Sequence, residues 1–99
     1  LEGRWTVEGE YVVPEDTGVL ELGFDARDVF LVIEPGADGG TIEVTVDGMA
    51  APDTDDVRGG RLVPGGSRMY HLVRLERSGP HVLRLAVKGH LRLFAFTFG

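Results

Sequence analysis

Glycine and proline divide this chain into short segments, and that division constrains its fold more than any other feature. Fifteen glycines and five prolines are spread over 99 residues. Both residues weaken helices, and no 3.6-residue hydrophobic periodicity persists between them. The sequence therefore favours an all-β fold of many short strands joined by turns.

Alternating apolar and polar residues mark the strands. In Val19–Phe24 and Thr41–Asp47 every second residue is apolar, which is typical of a strand with one buried face. Asp28–Ile33 is continuously apolar after its first residue, which predicts a central strand covered on both faces. Further strands are predicted at Arg4–Val7, Glu10–Val13, Arg61–Val63, Arg68–Glu76, Val82–Val87 and Leu91–Phe98.

The connections between these segments are rich in residues that favour turns. Residues 34–40 are predicted to be a loop, Lys88-Gly89 a turn, and Asp47-Gly48 a tight hairpin turn. Residues 48–60 form the longest irregular stretch. Seven or eight strands at spacings of roughly 8–12 residues predict an antiparallel β-sandwich. A jelly roll is favoured because the first and last segments are both strand-like and must pair.

The charge of the chain changes sign near its middle. Residues 1–50 carry twelve Asp and Glu but two Arg, whereas residues 51–99 carry four acidic and eight basic residues. Opposite charges on neighbouring strands stabilise a sheet by a few tenths of a kcal/mol per pair. The sequence therefore predicts that acidic strands of the first half lie beside basic strands of the second.

Composition argues against several classes of function. A net charge of −6 disfavours binding to nucleic acid, which needs a basic face. No apolar run approaches the roughly 18 residues of a membrane-spanning helix, so direct membrane insertion is not expected. The chain has no cysteine and therefore no disulfide or reactive thiolate of its own.

The sequence shows no catalytic constellation, so the domain is not expected to be an enzyme. The Gly60–Ser67 segment nearly matches a phosphate-binding loop, but Gly66 replaces the required lysine and a strand follows. The three histidines lack metal-binding spacing. His71 is predicted to be mostly buried with its polar atoms satisfied, and His90 to be exposed.

An acidic loop suggests a calcium site as one hypothesis. Asp53, Asp55 and Asp56 could donate oxygen ligands, but the loop lacks the glycine and final glutamate of an EF-hand. A solvated acidic loop is the favoured alternative, and no other cofactor is predicted.

Four residues are candidates for binding a sugar. Trp5 and Tyr70 could stack on an apolar sugar face, and Asp47 and Arg68 could hydrogen-bond its hydroxyl groups. The chain has no Asn or Gln, the amides that commonly make such bonds. The alternative for both aromatic residues is a role in packing.

The motifs together resemble one protein family, the C-terminal module of DipZ-type membrane thiol–disulfide proteins of the cytochrome c biogenesis class. The resemblance extends from end to end and depends on the order and spacing of five segments. They are Leu1–Glu10, Asp28–Ile33, Val44–Gly48, Arg68–Val73 and Phe96–Gly99. Met69 departs from the commoner Leu.

The resemblance implies a jelly roll like those of galactose-binding and carbohydrate-binding modules. Residues 1–99 would be one module from the C-terminus of a longer protein, on the extracytoplasmic side, after a thioredoxin-like domain and a membrane domain. It implies a non-catalytic, carbohydrate-binding-like accessory role; carbohydrate and the thioredoxin-like neighbour are the expected partners. The alternative is a structural domain that docks onto that neighbour without binding sugar.

Overall fold

The structure, a computed structural model, describes the backbone of residues 5–12 and 17–99 and the side chains of residues 18–99. These residues form seven strands, and every pairing between them is antiparallel. The strands are β1 (Trp5–Val12), β2 (Thr17–Asp25), β3 (Asp28–Val46), β4 (Met49–Ala50), β5 (Arg61–Leu62), β6 (Arg68–Arg74) and β7 (Pro80–Phe98). The predicted all-β, antiparallel fold is confirmed. In the described part of the chain, no helix could cross a membrane.

Two long strands belong to both layers of the sandwich. β3 and β7 have 19 residues each and pair with one another along both of their halves. In the first sheet, the order is β1, the end of β7, the start of β3, and β6. In the second sheet, β2, the start of β7 and the end of β3 lie side by side, with β4 and β5 along the outer edge.

The chain bends from one sheet to the other where a loop and a turn were expected. Residues 34–40 remain within β3, and Lys88-Gly89 remains within β7, so the predicted loop and the predicted turn are both wrong. Gly40 pairs with Gly89 where the two strands pass from one sheet to the other, a position that we call the waist. The ladder shifts register there, between Pro35 and Gly40. Gly89 has a φ of 91°, and a Cβ there would lie 2.6 Å from the Gly39 carbonyl oxygen. These glycines therefore permit a close backbone approach and do not reverse the chain.

Bulges also change which residues share a face. β1 crosses Gly9 as one strand, with a register shift between Glu8 and Tyr11, where two strands were predicted. In β7, Ala95 pairs with Val32 but Leu93 pairs with Ile33, so Phe94 is an extra residue. The alternation predicted that Phe94 lies on the same face as Phe96 and Phe98. That prediction is wrong, because the bulge removes Phe94 from the buried face.

The core lies between the two sheets. Its centre contains fully buried residues of β3 and β7, including Leu31, Val44, Leu85 and Leu93. Phe24 of the second sheet contacts Phe98 of the first, with ring centroids 6.1 Å apart. One continuous hydrophobic cluster therefore joins both layers.

Acidic and basic strands alternate in the sheets, as the charge pattern predicted. Direct cross-strand pairs join an acidic residue of the first half to a basic residue of the second. They are Glu21 with Arg84, Asp28 with Arg74, Glu34 with Arg92 and Glu43 with Arg61. The charges of the two halves are thus interleaved across the molecule.

Candidate functional site

Asp47 occupies the hairpin turn between β3 and β4. Asp47 and Gly48 both have positive φ, 52° and 82°, as the predicted two-residue turn requires. One carboxylate oxygen of Asp47 accepts the Val82 N–H at 2.8 Å, and the other lies 2.7 Å from His81 Nδ1. The hydrogen bond to His81 is the main cause that lowers the pKa of Asp47. The Asp47 carboxylate therefore already has partners within the protein.

Arg68 lies at the start of β6 and is bound to the loop that precedes it. Its Nη2 donates to Asp56 Oδ1 at 2.8 Å and its Nη1 to the Met69 carbonyl at 3.0 Å. Its guanidinium also covers the ring of Tyr70, 3.8 Å from the centroid. The hydrogen bond from Arg68 is the largest effect that lowers the pKa of Asp56.

Tyr70 is buried, and the hypothesis that it stacks on a sugar is wrong. Its side chain is 1% exposed, opposite Leu31 on the inner face of the first sheet. Its hydroxyl accepts the N–H groups of Gly65 and Gly66 and donates to the Gly66 carbonyl at 2.6 Å. Tyr70 therefore fixes the turn before β6, which is the packing role that the sequence left open.

The structure does not bring the four predicted sugar-binding residues into one site. Asp47 contacts His81 and Val82 in the second sheet, whereas Arg68 contacts Asp56 and its own strand. The backbone of Trp5 pairs with Phe98 in β1, but the Trp5 side chain lies outside the described residues.

The three predicted calcium ligands do not form one site, because Asp53 and Asp56 are bound to different partners within the protein. Asp53 accepts the Gly59 N–H at 2.9 Å and lies 3.8 Å from Arg58, while Asp55 is exposed. Both oxygens of Asp56 are used, because Oδ2 accepts the His71 N–H at 2.8 Å. Among residues 18–99, no group of three or more His, Asp or Glu could hold a metal ion.

The irregular segment 51–60 is fixed by a buried threonine that the sequence analysis missed. Thr54 is 3% exposed. Its hydroxyl donates to the His71 carbonyl at 2.7 Å and accepts the N–H groups of Asp56 and Val57 at 3.0 Å. A Thr followed by turn residues is the signal that could have identified it.

His71 has the satisfied environment that was predicted. Its Nε2 lies 3.1 Å from Asp28 Oδ1, and its ring stacks on Phe30 with centroids 4.3 Å apart. The other oxygen of Asp28 accepts from Arg27 Nε at 3.0 Å. His90 is exposed, also as predicted.

A groove on the outer face of the second sheet is a better candidate binding site than the predicted residues. Four strands contribute one residue each to a row across this face: Val19, Ala86, Glu43 and Arg61. Ala86 is the smallest of them and forms the floor, so we call this depression the Ala86 groove. Its volume is about 250 Å³. Its other lining residues are Gly18, Thr41, Val87 and Lys88.

The Ala86 groove combines hydrogen-bonding groups with an apolar floor. Arg61 and Lys88 are donors, Glu43 is an acceptor, and the Thr41 hydroxyl can act as either. A second shallow groove at the waist shares Thr41 and Lys88 with it. This arrangement suits a ligand with many hydroxyl groups, because each hydroxyl both donates and accepts.

Comparisons with known proteins agree with this fold. A family two carbohydrate esterase from Cellvibrio japonicus has a similar structure, with a TM-score of 0.62 and 13% sequence identity. The similarity covers 97% of this chain but 33% of the esterase chain, so the domain corresponds to about a third of that protein. No curated protein matches the sequence. The family described as thioredoxin-like C-terminal domain matches residues 1–99. The chain therefore belongs to the family of thioredoxin-like C-terminal domains.

Proposed function

We propose that this domain is a non-catalytic accessory module of a thioredoxin-like protein and that it binds saccharide in the Ala86 groove. The family assignment supports the accessory role. The absence of cysteine means that thiol exchange would depend on another part of the protein. The proposal places the domain on the extracytoplasmic side, tethered through an upstream membrane domain, where it would bring its redox partner to glycan-rich surroundings.

The observation that carries the sugar-binding proposal is the composition of the Ala86 groove. Ala86 is half-buried on the outer face, and its strand neighbours Arg84 and Lys88 have much longer side chains. A small residue between long ones leaves room for a ring. The donors and the acceptor stand at its edge and can replace the water that binds sugar hydroxyl groups.

The test is an NMR titration of the domain with neutral oligosaccharides. We expect amide shifts at Val19, Glu43, Arg61, Ala86 and Lys88, with a dissociation constant in the millimolar range, on the order of −4 kcal/mol of binding free energy. An Ala86→Ile variant should bind at least about tenfold more weakly because the larger side chain fills the floor.

Val82→Ile is the matched control. Val82 lies on the same strand and is 45% exposed, but it does not line the Ala86 groove. This variant should bind as the original protein does. Saccharide binding at this groove would be contradicted if the amide shifts stayed unchanged at tens of millimolar sugar. It would also be contradicted if both variants lost the same affinity.

A second candidate function is docking onto the thioredoxin-like neighbour. Two exposed apolar side chains flank the fixed 51–60 segment: Met49 is 74% and Val63 is 64% exposed. Exposed apolar groups beside a rigid segment suit a protein interface.

Oxidoreductase assays on the longer protein separate the two functions. If the domain docks through this surface, a Met49→Ser/Val63→Ser variant should alter turnover or substrate choice while oligosaccharide shifts persist. If turnover and substrate choice equal those of the unmodified protein, docking through these residues is excluded.

A further inference from the structure

A third groove lies at the end of the sandwich where β6 connects to β7. Residues 74–79 form most of its wall, with Pro52 and His81 on its sides, and its volume is about 600 Å³. We call it the β6–β7 groove. It shares no lining residue with the Ala86 groove.

Backbone hydrogen bonds hold the wall of this groove in place. The Leu75 N–H donates to the Arg27 carbonyl at 2.9 Å, and the Gly79 carbonyl accepts the Ala26 N–H at 3.2 Å. Both ends of the connection are thus fixed to the turn between β2 and β3. A fixed wall costs little conformational entropy when a ligand binds.

The charge of the β6–β7 groove is opposite to that of the whole protein. Arg74 and Arg77 line it and are exposed, and neither has an ion-pair partner among the described residues. Asp28 is opposite Arg74 in the ladder, but its two oxygens contact Arg27 and His71. Glu76 is the one acidic residue of the described lining. Two guanidinium groups therefore remain available in a protein whose net charge is −6.

His81 adds an oriented ring nitrogen. Its Nδ1 is held by Asp47 at 2.7 Å, and its ring packs on Phe24 with centroids 5.5 Å apart. The other nitrogen, Nε2, lies next to Gly79 in the groove wall, since a Cβ on Gly79 would be 3.6 Å from it. Nε2 has no hydrogen-bond partner among residues 18–99. With Nδ1 held by Asp47, Nε2 is therefore the ring nitrogen that faces the groove.

We propose that the β6–β7 groove binds the carboxylate of a small organic acid of sugar-acid size. Guanidinium groups present paired N–H donors that match the two oxygens of a carboxylate. Pro52 and Leu75 provide apolar surface for the carbon skeleton of the ligand. The groove volume lies within the range of small-molecule sites, roughly 300–1,000 Å³. This inference does not depend on the proposed function, because the two grooves are separate.

The test is an NMR titration with glucuronate, with glucose as the neutral control. We expect saturable shifts of amides 74–81 with glucuronate and none with glucose. An Arg74→Gln/Arg77→Gln variant should bind glucuronate at least about tenfold more weakly, because a charge-assisted hydrogen bond contributes roughly that much. Arg84→Gln removes one positive charge of the same kind from an exposed position outside the groove and should leave binding unchanged.

Two further ligands distinguish the sources of the anion. N-acetylglutamate α-methylamide, whose one carboxylate is on the side chain, represents an acidic peptide side chain, and inorganic phosphate represents a non-carboxylate anion. Weaker binding of both than of glucuronate supports the assignment. The assignment would be overturned if either ligand bound more tightly than glucuronate or if glucose gave equal shifts. It would also be overturned if binding did not saturate at tens of millimolar glucuronate, or if Arg84→Gln lost as much affinity as the double variant. Thermal unfolding of each variant checks that the fold is retained.

Discussion

At the scale of single residues, Asp56 connects the 51–60 segment to β6 through both of its oxygens. One accepts from Arg68 and the other from the backbone N–H of His71, each at 2.8 Å. The Asp56 side chain is 13% exposed, so these contacts are partly shielded from solvent. The pKa of Asp56 is lowered chiefly by the bond from Arg68.

This shift predicts how stability depends on pH. A carboxyl whose pKa is lower in the folded state contributes stability above its unfolded pKa, near 3.8, and that stability is lost as the pH falls through its folded pKa. The free energy of unfolding should therefore fall as the pH drops from about 4 toward 2. In Asp56→Asn, urea unfolding across this range should show a shallower pH dependence.

The neighbouring Asp55 provides the control. It is exposed and makes no hydrogen bond among the described residues. In Asp55→Asn, the free energy of unfolding should depend on pH as it does in the original protein. If the free energy of unfolding depends on pH in Asp56→Asn as it does in the original protein, then the Arg68 contact does not lower the pKa of Asp56 in solution.

The residue types at the candidate sites could be predicted from the sequence, but their partners could not. Asp47 and Arg68 were identified as polar groups of interest, yet Asp47 meets His81 from 34 positions away. For Tyr70 the sequence left both sugar stacking and packing open, because alternation does not say which face of a strand is inward. The Ala86 groove depends on four strands in register, which no local pattern contains.

At the scale of the elements, Gly89 determines how β7 passes from one sheet to the other. We expect Gly89→Ala to lower the free energy of unfolding by at least about 2 kcal/mol, because a left-handed backbone disfavours L-residues and the added Cβ overlaps the Gly39 carbonyl. Chemical denaturation measures the change.

Gly65→Ala is the matched substitution, since its Cβ would meet nothing within 4 Å and its φ is not positive. It should change stability by no more than about 0.5 kcal/mol. Equal effects of the two substitutions would mean that the waist tolerates a side chain.

The same elements show why the predicted strand boundaries were only partly right. Period-two alternation correctly located β2 and the second half of β3, and a continuous apolar run located the first half of β3. These patterns missed the continuity of β3, because Pro35, Gly36 and Gly40 look like a loop locally and become a bulge only when β7 lies alongside. The bulge at Phe94 is of the same kind, because a register shift is a property of two strands.

At the scale of the whole molecule, interleaved charge is the feature that the sequence predicted best. Glu21 and Arg84 illustrate it: they lie directly opposite each other on the outer face of the second sheet. Glu21→Arg should lower stability by roughly 0.5 kcal/mol because it places like charges side by side. The double variant Glu21→Arg/Arg84→Glu should recover most of that loss in urea titrations at low salt. If the double variant is no more stable than the single, the pair contributes nothing by its charge.

The length of β3 and β7 has a mechanical consequence. Each passes through both layers, so neither layer can peel away while the other stays folded; the two must open together. A force applied to β7 is therefore distributed over both sheets of the sandwich.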